Sequence, residues 1–306
     1  MLPSDISIKG PFPAITGPTA SGKTAFSLEL ADRLNAEIIS ADSRQIYREL
    51  TIGTAKPSKK ELDRVLHHFI DELSLAEPFS AGTFAEQANE RISDIISRGR
   101  IPIVVGGSSL YLHALLKGLS PIPPSDADMR QHLEKRLMVE GAQTLFAELE
   151  RVDPISASTL DPTKSSRLVR ALEVLHTTGK PLSSYHRRQK PPPFSFRLAI
   201  LNVDRETLYK RIDERVDRML EDGLLREVQR ILDTGVNADL NALKTIGYRE
   251  SIAYLQGKIS CDEMIRLIKR NTRRYAKRQL TWLRRYKRAH WIHVPWTEVL
   301  DPRTWE

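Results

Sequence analysis

Eight consecutive residues, Gly17-Pro18-Thr19-Ala20-Ser21-Gly22-Lys23-Thr24, have types and spacing suited to holding a polyphosphate. They follow the apolar run Phe12–Thr16 and precede a helical pattern from Ala25 to Leu34, so a G-x-x-x-x-G-K-T motif sits between a buried strand and a helix. Glycines let the backbone wrap closely, and successive N–H groups then point at phosphate oxygens. A helix starting near Gly22 adds its positive N-terminal end. Lys23 supplies a mobile point charge, and the Thr24 hydroxyl can hold a Mg2+ ion that bridges the phosphates. The plainer alternative is a strand-to-helix turn carrying Gly-Lys-Thr by chance, and both placement and spacing argue against it. The octet predicts a site for a polyphosphate or diphosphate.

A second group of functional side chains follows the apolar stretch Glu37–Ser40. It reads Asp42-Ser43-Arg44-Gln45-Ile46-Tyr47, then Thr51-Ile52-Gly53-Thr54-Ala55-Lys56-Pro57. In a parallel sheet the C-terminal ends of the strands open onto the ligand crevice, which predicts that Asp42 faces the phosphate loop.

The elements that must position these groups follow from hydrophobic periodicity. Phe12–Thr16 and Glu37–Ser40 read as buried strands, His68–Leu73 as a short strand, and Ile101–Val105 as a continuous apolar strand closed by Gly106-Gly107. Thr83–Arg98 carries Phe84, Ala88, Ile92, Ile95 and Ile96 at helical spacing, and Gly99 ends it. Such alternation predicts an α/β fold, a P-loop NTPase-like parallel sheet covered by helices, with an all-helical insertion domain. Pro121-Ile122-Pro123-Pro124 opens the insertion, 126–158 reads as wholly helical, Arg167–His176 is a helix at its exit, and Lys190-Pro191-Pro192-Pro193 marks the return. The core is then 1–121 and 191–306, with a basic helical C-terminal part, and the insertion is 122–190. Phe196–Leu201 resumes the sheet, 204–286 reads as nearly all amphipathic helix, and His290–Val294 as a last strand.

Hydrophobic content of 40% and charged content of 28% fit a globular protein with a proper core. The single cysteine, Cys261, excludes an internal disulfide and a thiolate metal cluster. No apolar run approaches the ~20 residues of a membrane span, and Met1–Gly10 lacks a signal-peptide pattern, so the expectation is a cytoplasmic protein. No exposed heptad stands out, so the expectation is a monomer without an obligate protein partner. Net charge is +8, and from Met264 to Thr297 there is no acidic residue, while eleven lysines and arginines fall between Arg266 and Arg288. That clustering is an electrostatic footprint for a polyanion such as nucleic acid, or a solvated basic face.

These motifs together resemble the tRNA dimethylallyltransferases. The resemblance runs almost end to end, through Gly17–Thr24, Asp42–Tyr47, Ile52–Pro57 and Gly106–Leu112. It continues with Arg170–Val174, Thr178–Ser183, Ile246–Arg249 and Lys277–Arg284. It implies transfer of a dimethylallyl group from dimethylallyl diphosphate to the exocyclic amine of the adenosine 3′ of the anticodon in tRNA. Gly17, Pro18, Thr19, Ala20, Ser21, Gly22, Lys23 and Thr24 would then hold a diphosphate leaving group with Mg2+, joined by Arg215, with Arg211 as the alternative. Negative charge develops on that diphosphate as the allylic bond breaks, so preorganised donors and a metal lower the barrier. Lys23 thereby counts as catalytic. Asp42 would hold and deprotonate the amine; a magnesium ligand or a helix cap are its other readings. Gln45 has an amide able to pair with two adenine edge atoms at once. A looped adenosine must be swung out, and a channel would let the two substrates enter from opposite sides.

Ser108 stands where most of the family has threonine, a residue that helps hold the amine and the bridging phosphate oxygen; the hydroxyl is kept and a methyl lost. Asp161-Pro162-Thr163-Lys164 replaces the usual proline-asparagine-aspartate turn, a departure from the family at a local tRNA contact. The implied tRNA surface comprises Ser43, Arg44, Ser166, Arg167, Arg170, Lys244, Gly247, Tyr248 and Arg249, together with the basic helix Arg273–Arg285, which includes Lys277 and Arg278. His67-His68 also match the family, as packing or hydrogen-bonding residues rather than metal ligands. Three rivals stay open at this level: an adenylate isopentenyltransferase, a P-loop small-molecule kinase and a non-catalytic RNA-binding NTPase. Against the kinase, Ile101–Val105 ends in two glycines instead of an acidic metal ligand.

Overall fold

The computed structural model describes residues 10–185 and 191–296. The chain divides into two compact units, one of Met1–Leu116 with Pro193–Glu306, the other Lys117–Pro192.

The first unit is built on six parallel strands. They are β1 (Phe12–Thr16), β2 (Ala36–Ser40), β3 (His67–His68), β4 (Ile101–Gly106), β5 (Phe196–Asn202) and β6 (His290–His293), in the order β3-β2-β4-β1-β5-β6. Every residue of β1 and β2 is buried, as expected when helices cover both faces of a parallel sheet. Helix α1 (Lys23–Leu34) packs Phe26 and Leu30 against Ile15, Ile38, Ile103 and Leu201 of four different strands. Helix α3 (Ala81–Ser97), capped by the Ser80 hydroxyl on Thr83 N–H, buries Phe84, Ala88, Ile92 and Ile95. A short α2 (Lys59–Arg64) precedes β3, and α4 (Ser109–Lys117) follows β4. β1 lies between β4 and β5, and the chain crosses to opposite sides of it. The crevice at its C-terminal end is therefore the switch point at which such sheets bind ligands.

The strand expected over His68–Leu73 is only two residues long. Phe69 and Asp71 take φ of 65° and 58°, left-handed values that turn the chain out of the sheet. Leu73 makes one isolated bridge to Tyr47. Pairing ends because the apolar pattern there serves a turn: Phe69 is buried, and its N–H is held at 2.5 Å by the Glu72 carboxylate. Next to it, Glu37 of β2 is wholly buried and accepts from His68 Nε2 at 2.8 Å, from Arg98 and from Arg100. His67 Nδ1 meets Val65 O at 2.7 Å, so both histidines are hydrogen-bonded.

The C-terminal part carries α9 (Arg205–Glu221), α10 (Leu224–Asp233), α11 (Tyr248–Leu255) and α12 (Cys261–Leu283). The helical reading of 204–286 fails between α10 and α11, where Gly235, Asn237, Asp239 and Asn241 favour turns and Asn237 Oδ1 accepts from Asp239 N–H.

In the second unit α5 (Ala127–Glu140), α6 (Ala142–Val152), α7 (Pro154–Thr159) and α8 (Ser165–Thr178) pack around Leu133, Leu145, Leu149, Leu168 and Leu172. The stretch read as helical, 126–158, forms three helices, divided at Gly141 and at Asp153, whose carboxylate caps Ser156 N–H at 3.1 Å ahead of Pro154 at the first helical position. Asp161, in the unusual turn before α8, accepts from Thr163 N–H and hydroxyl, so a capped turn still forms.

Candidate functional site

The phosphate loop leaves the C-terminal end of β1 and enters α1 through Gly22, which sits at φ 91°, a left-handed conformation that glycine adopts without steric cost. Lys23 Nζ folds back onto the carbonyls of Gly17 (3.1 Å) and Pro18 (2.9 Å). Ser21 Oγ is buried in the loop with no hydrogen-bond partner among the described residues. From α9, Arg215 reaches the same loop, donating to Thr19 Oγ1 at 3.2 Å and to Thr54 O at 3.4 Å. Arg211, one turn earlier, lines the same cleft and has no such bond to the loop. From α12, buried Gln279 accepts from Thr19 N–H at 2.9 Å and donates to Gly107 O at 2.8 Å, tying the loop to the end of β4.

Two half-buried cations are thus held close in one cradle. Burial, then the neighbouring Arg215 charge, brings Lys23 down to about 8, with Asp42 opposing. Burial lowers Arg215 to about 10; Asp42 again opposes, and Arg218 adds a smaller lowering. Donors crowded against their own charge are arranged for an anion that relieves the conflict.

Two cavities open at this end of the sheet. The larger, about 960 Å³, is lined by the loop residues Thr19–Thr24, by Gln45 and Lys56, and by Arg211 and Arg215. The smaller, about 350 Å³, is lined by Ser43, Arg44, Ser108, Lys244, Gly247, Arg249, Tyr275 and Arg278. Thr19, Asp42, Thr54, Arg215, Met219 and Tyr275 line both, so Asp42 sits where the chambers meet, on the same side of the sheet as Lys23. Asp42 Oδ1 accepts from Arg44 N–H (2.9 Å) and Gln45 N–H (3.4 Å); Oδ2 has no hydrogen bond among the described residues. Ser108 Oγ accepts from Ser43 N–H at 2.9 Å and donates to Ser43 Oγ at 3.2 Å. A recess of about 60 Å³ brings Thr24, Ser40 and Asp42 together with Lys23. Hydroxyl and carboxylate oxygens with room for water suit Mg2+, which binds oxygen and keeps much of its hydration.

Some expected roles need correction. Gln45 does not offer a free two-point amide, because its Nε2 donates to the carbonyls of Thr54 and Ala55, both at 3.2 Å, and it lines the phosphate chamber. Tyr248 is fully buried, with its hydroxyl on Glu227 Oε1 at 2.6 Å, and presents no surface to RNA. Arg170 is engaged with buried Glu173 at 2.6 Å and with Pro123 O. Ser166 and Arg167 are exposed on α8 of the second unit. Along α12, Lys269 and Arg273 pair inward with Asp217 and Asp213 of α9. Arg274, Lys277, Arg278, Arg284, Arg285, Lys287 and Arg288 stay exposed without an acidic partner among the described residues.

Gln279 and Tyr275 were not singled out by residue type. Their signal is positional: they lie four apart on α12, an inward-facing pair within a basic run.

A family model described as IPP transferase matches residues 45–286. The chain is 58% identical over 299 residues to a tRNA dimethylallyltransferase of Salinibacter ruber, covering 97% of this chain and 92% of that protein. It is 47% identical to the tRNA dimethylallyltransferase of Chlorobium limicola, covering 92% and 90%. Among solved structures, the tRNA isopentenylpyrophosphate transferase of Bacillus halodurans superposes with a TM-score of 0.68 at 41% identity, covering 93% of this chain and 90% of that one. A eukaryotic dimethylallyltransferase acting on tRNA gives a TM-score of 0.79 at 29% identity, covering 92% and 73%.

Proposed function

The chain belongs to the tRNA dimethylallyltransferase family, and on that premise we propose how its own residues carry the transfer. The activity is dimethylallyl transfer to the tRNA adenosine 3′ of the anticodon. Dimethylallyl diphosphate enters the larger chamber, with its diphosphate on the loop N–H groups, Lys23 and Arg215. The adenosine enters the smaller chamber from the side of Lys244, Gly247, Arg249 and Arg278. Asp42, on the shared wall, takes a proton from the exocyclic amine while nitrogen bonds to the allylic carbon. The carbon–oxygen bond breaks, and its electron pair leaves with the diphosphate. Ser108, bonded to Ser43, holds the amine beside the bridging oxygen. Thr24 would hold Mg2+, which when bound neutralises charge developing on the diphosphate. Once the diphosphate displaces the loop carbonyls from Lys23, Lys23 and Arg215 hold positive charge against it before the bond breaks, so the charge that develops meets donors already in place. Ser166 and Arg167 of the second unit, with the exposed basic face of α12, contact the tRNA backbone.

The observation that carries this reading is that one carboxylate, Asp42, lines both chambers. With Mg2+, labelled dimethylallyl diphosphate and unmodified tRNA, label should enter the tRNA. Label appearing in AMP instead, or ATP-dependent phosphorylation of a small molecule without transfer, would overturn it.

A further inference from the structure

The Glu227 carboxylate, on α10, lines neither chamber, yet four donors converge on it. Oε2 accepts from the backbone N–H of Ile52 at 2.8 Å and of Thr51 at 3.3 Å. Oε1 accepts from Gly53 N–H at 3.3 Å and from the Tyr248 hydroxyl at 2.6 Å. Three successive N–H groups form a concavity for an anion, filled here by the protein's own carboxylate. The Tyr248 ring closes on the same turn so tightly that a Cβ on Gly53 would lie 2.4 Å from it.

The carbonyls that follow this turn serve the site directly. Thr54 O accepts from Arg215 and from Gln45, and Ala55 O also accepts from Gln45. Ala55 sits at φ 47°, a conformation that a residue with a Cβ keeps only where its surroundings over-determine it. A strained turn that supplies the acceptor for Arg215 needs a fixed anchor, and Glu227 is the carboxylate that accepts from its N–H groups.

We propose that Glu227 is a positioning residue for the transfer reaction. It clamps the 51–55 turn and, through the Thr54 carbonyl, sets the Arg215 guanidinium over the phosphate loop. Through Tyr248 the same carboxylate is tied to Gly247 and Arg249, which line the acceptor chamber. The clamp therefore holds the two chambers in register. This rests on the reading that Arg215 holds the diphosphate.

Glu227→Gln replaces one carboxylate oxygen with an amide whose N–H groups face other N–H donors. The expected result is a rise of about tenfold in KM for dimethylallyl diphosphate and a comparable fall in kcat, since small displacements of a positioned group are costly in rate. KM for tRNA moves less. Tyr248→Phe removes one donor of the four and should change the same constants in the same direction by a smaller factor. If Glu227 acts through Arg215, then in an Arg215→Ala background Glu227→Gln shifts the diphosphate KM by less than about twofold, because coupled changes are not additive. Full additivity in the double variant, or wild-type constants for Glu227→Gln, overturns the proposal. An Arg215→Ala protein with an unchanged diphosphate KM overturns the Arg215 reading instead. Thermal melts accompany each variant. Where Glu227→Gln does not fold, the same cycle is run with Tyr248→Phe, and additivity there overturns the proposal equally.

Discussion

Lys23 and Arg215 share a cradle in which burial penalises both charges most, Arg215 lowers Lys23 further, and Asp42 offsets only part of that cost. In the free protein Lys23 loses its proton near pH 8, well below an ordinary lysine. A bound diphosphate must raise that value, because two negative charges replace carbonyl dipoles around the ammonium. The sign follows by linkage: a group whose pKa is higher in the complex strengthens binding fully below its free value. That strengthening is lost as pH rises above about 8 toward the complex's value. Diphosphate affinity should therefore fall above pH 8 by up to about tenfold per pH unit, with one proton taken up on binding. Calorimetry in buffers of different ionisation enthalpy measures that proton, and a pH-independent affinity from 7 to 10 would contradict the assignment. Asp42 is tested differently, since its role is in the chemical step. Asp42→Asn keeps a hydrogen-bonding group and loses the base, so single-turnover transfer should slow by about 10²–10⁴ while tRNA is still retained on a filter. Undiminished single-turnover transfer would remove Asp42 from the reaction.

Elements whose residues interact mainly with near neighbours were legible in the sequence, and those defined by distant partners were not. β1 and β4 are continuous apolar runs because helices cover both faces, and α1 and α3 show their buried stripes at helical spacing. The run His68–Leu73 has similar composition, yet Phe69 and Asp71 adopt left-handed backbone that apolar patterning does not encode. Within the site, the loop and Asp42 declare themselves through motif and strand-end position. Gln279 acts across 260 residues to Thr19 and Glu227 across 175 to Ile52, and no local pattern announces such bonds. Glu37 is a third case, a wholly buried carboxylate inside a strand that reads as apolar. Its bond to Arg98, helped by His68, holds its pKa down at about 2 against the cost of burial. A depressed carboxyl stabilises the fold above the ordinary carboxylate range and loses that contribution as pH falls through about 2. Glu37→Gln should cost about 3 kcal/mol at pH 7, the low end for a broken buried pair, because Arg98 and Arg100 keep contact with water. Urea melts would show that gap narrowing at pH 3; a gap that is equal at both values would place the stabilisation elsewhere.

At the scale of the molecule, all six strands point the same way, so their C-terminal ends gather the phosphate loop, Asp42 and Gly107 at one rim. Helices α9 and α12 lie over that rim, tied to each other by Lys269–Asp217 and Arg273–Asp213. These pairs neutralise the inner face of α12 and leave the excess positive charge on its outside, so the two substrates meet different electrostatics. Dimethylallyl diphosphate binds to half-buried cations in a cleft, where mobile ions screen less than at an open surface. The tRNA backbone meets exposed lysines and arginines, and its binding releases counterions, by roughly 0.7 to 0.9 in log–log slope per phosphate neutralised. Raising salt should therefore weaken tRNA binding steeply and leave diphosphate binding nearly flat. Replacing Lys277 and Arg278 together with alanine should reduce the tRNA salt slope by about 1.4 to 1.8 if each neutralises one phosphate. The same double variant should leave the diphosphate constant unchanged, because neither residue lines the larger chamber. Filter binding of tRNA across a salt series, beside calorimetry of the diphosphate, separates the two. An unaltered tRNA slope in the double variant would show that the exposed charge of α12 faces water alone, and the RNA surface would then have to be sought around Lys244 and Arg249.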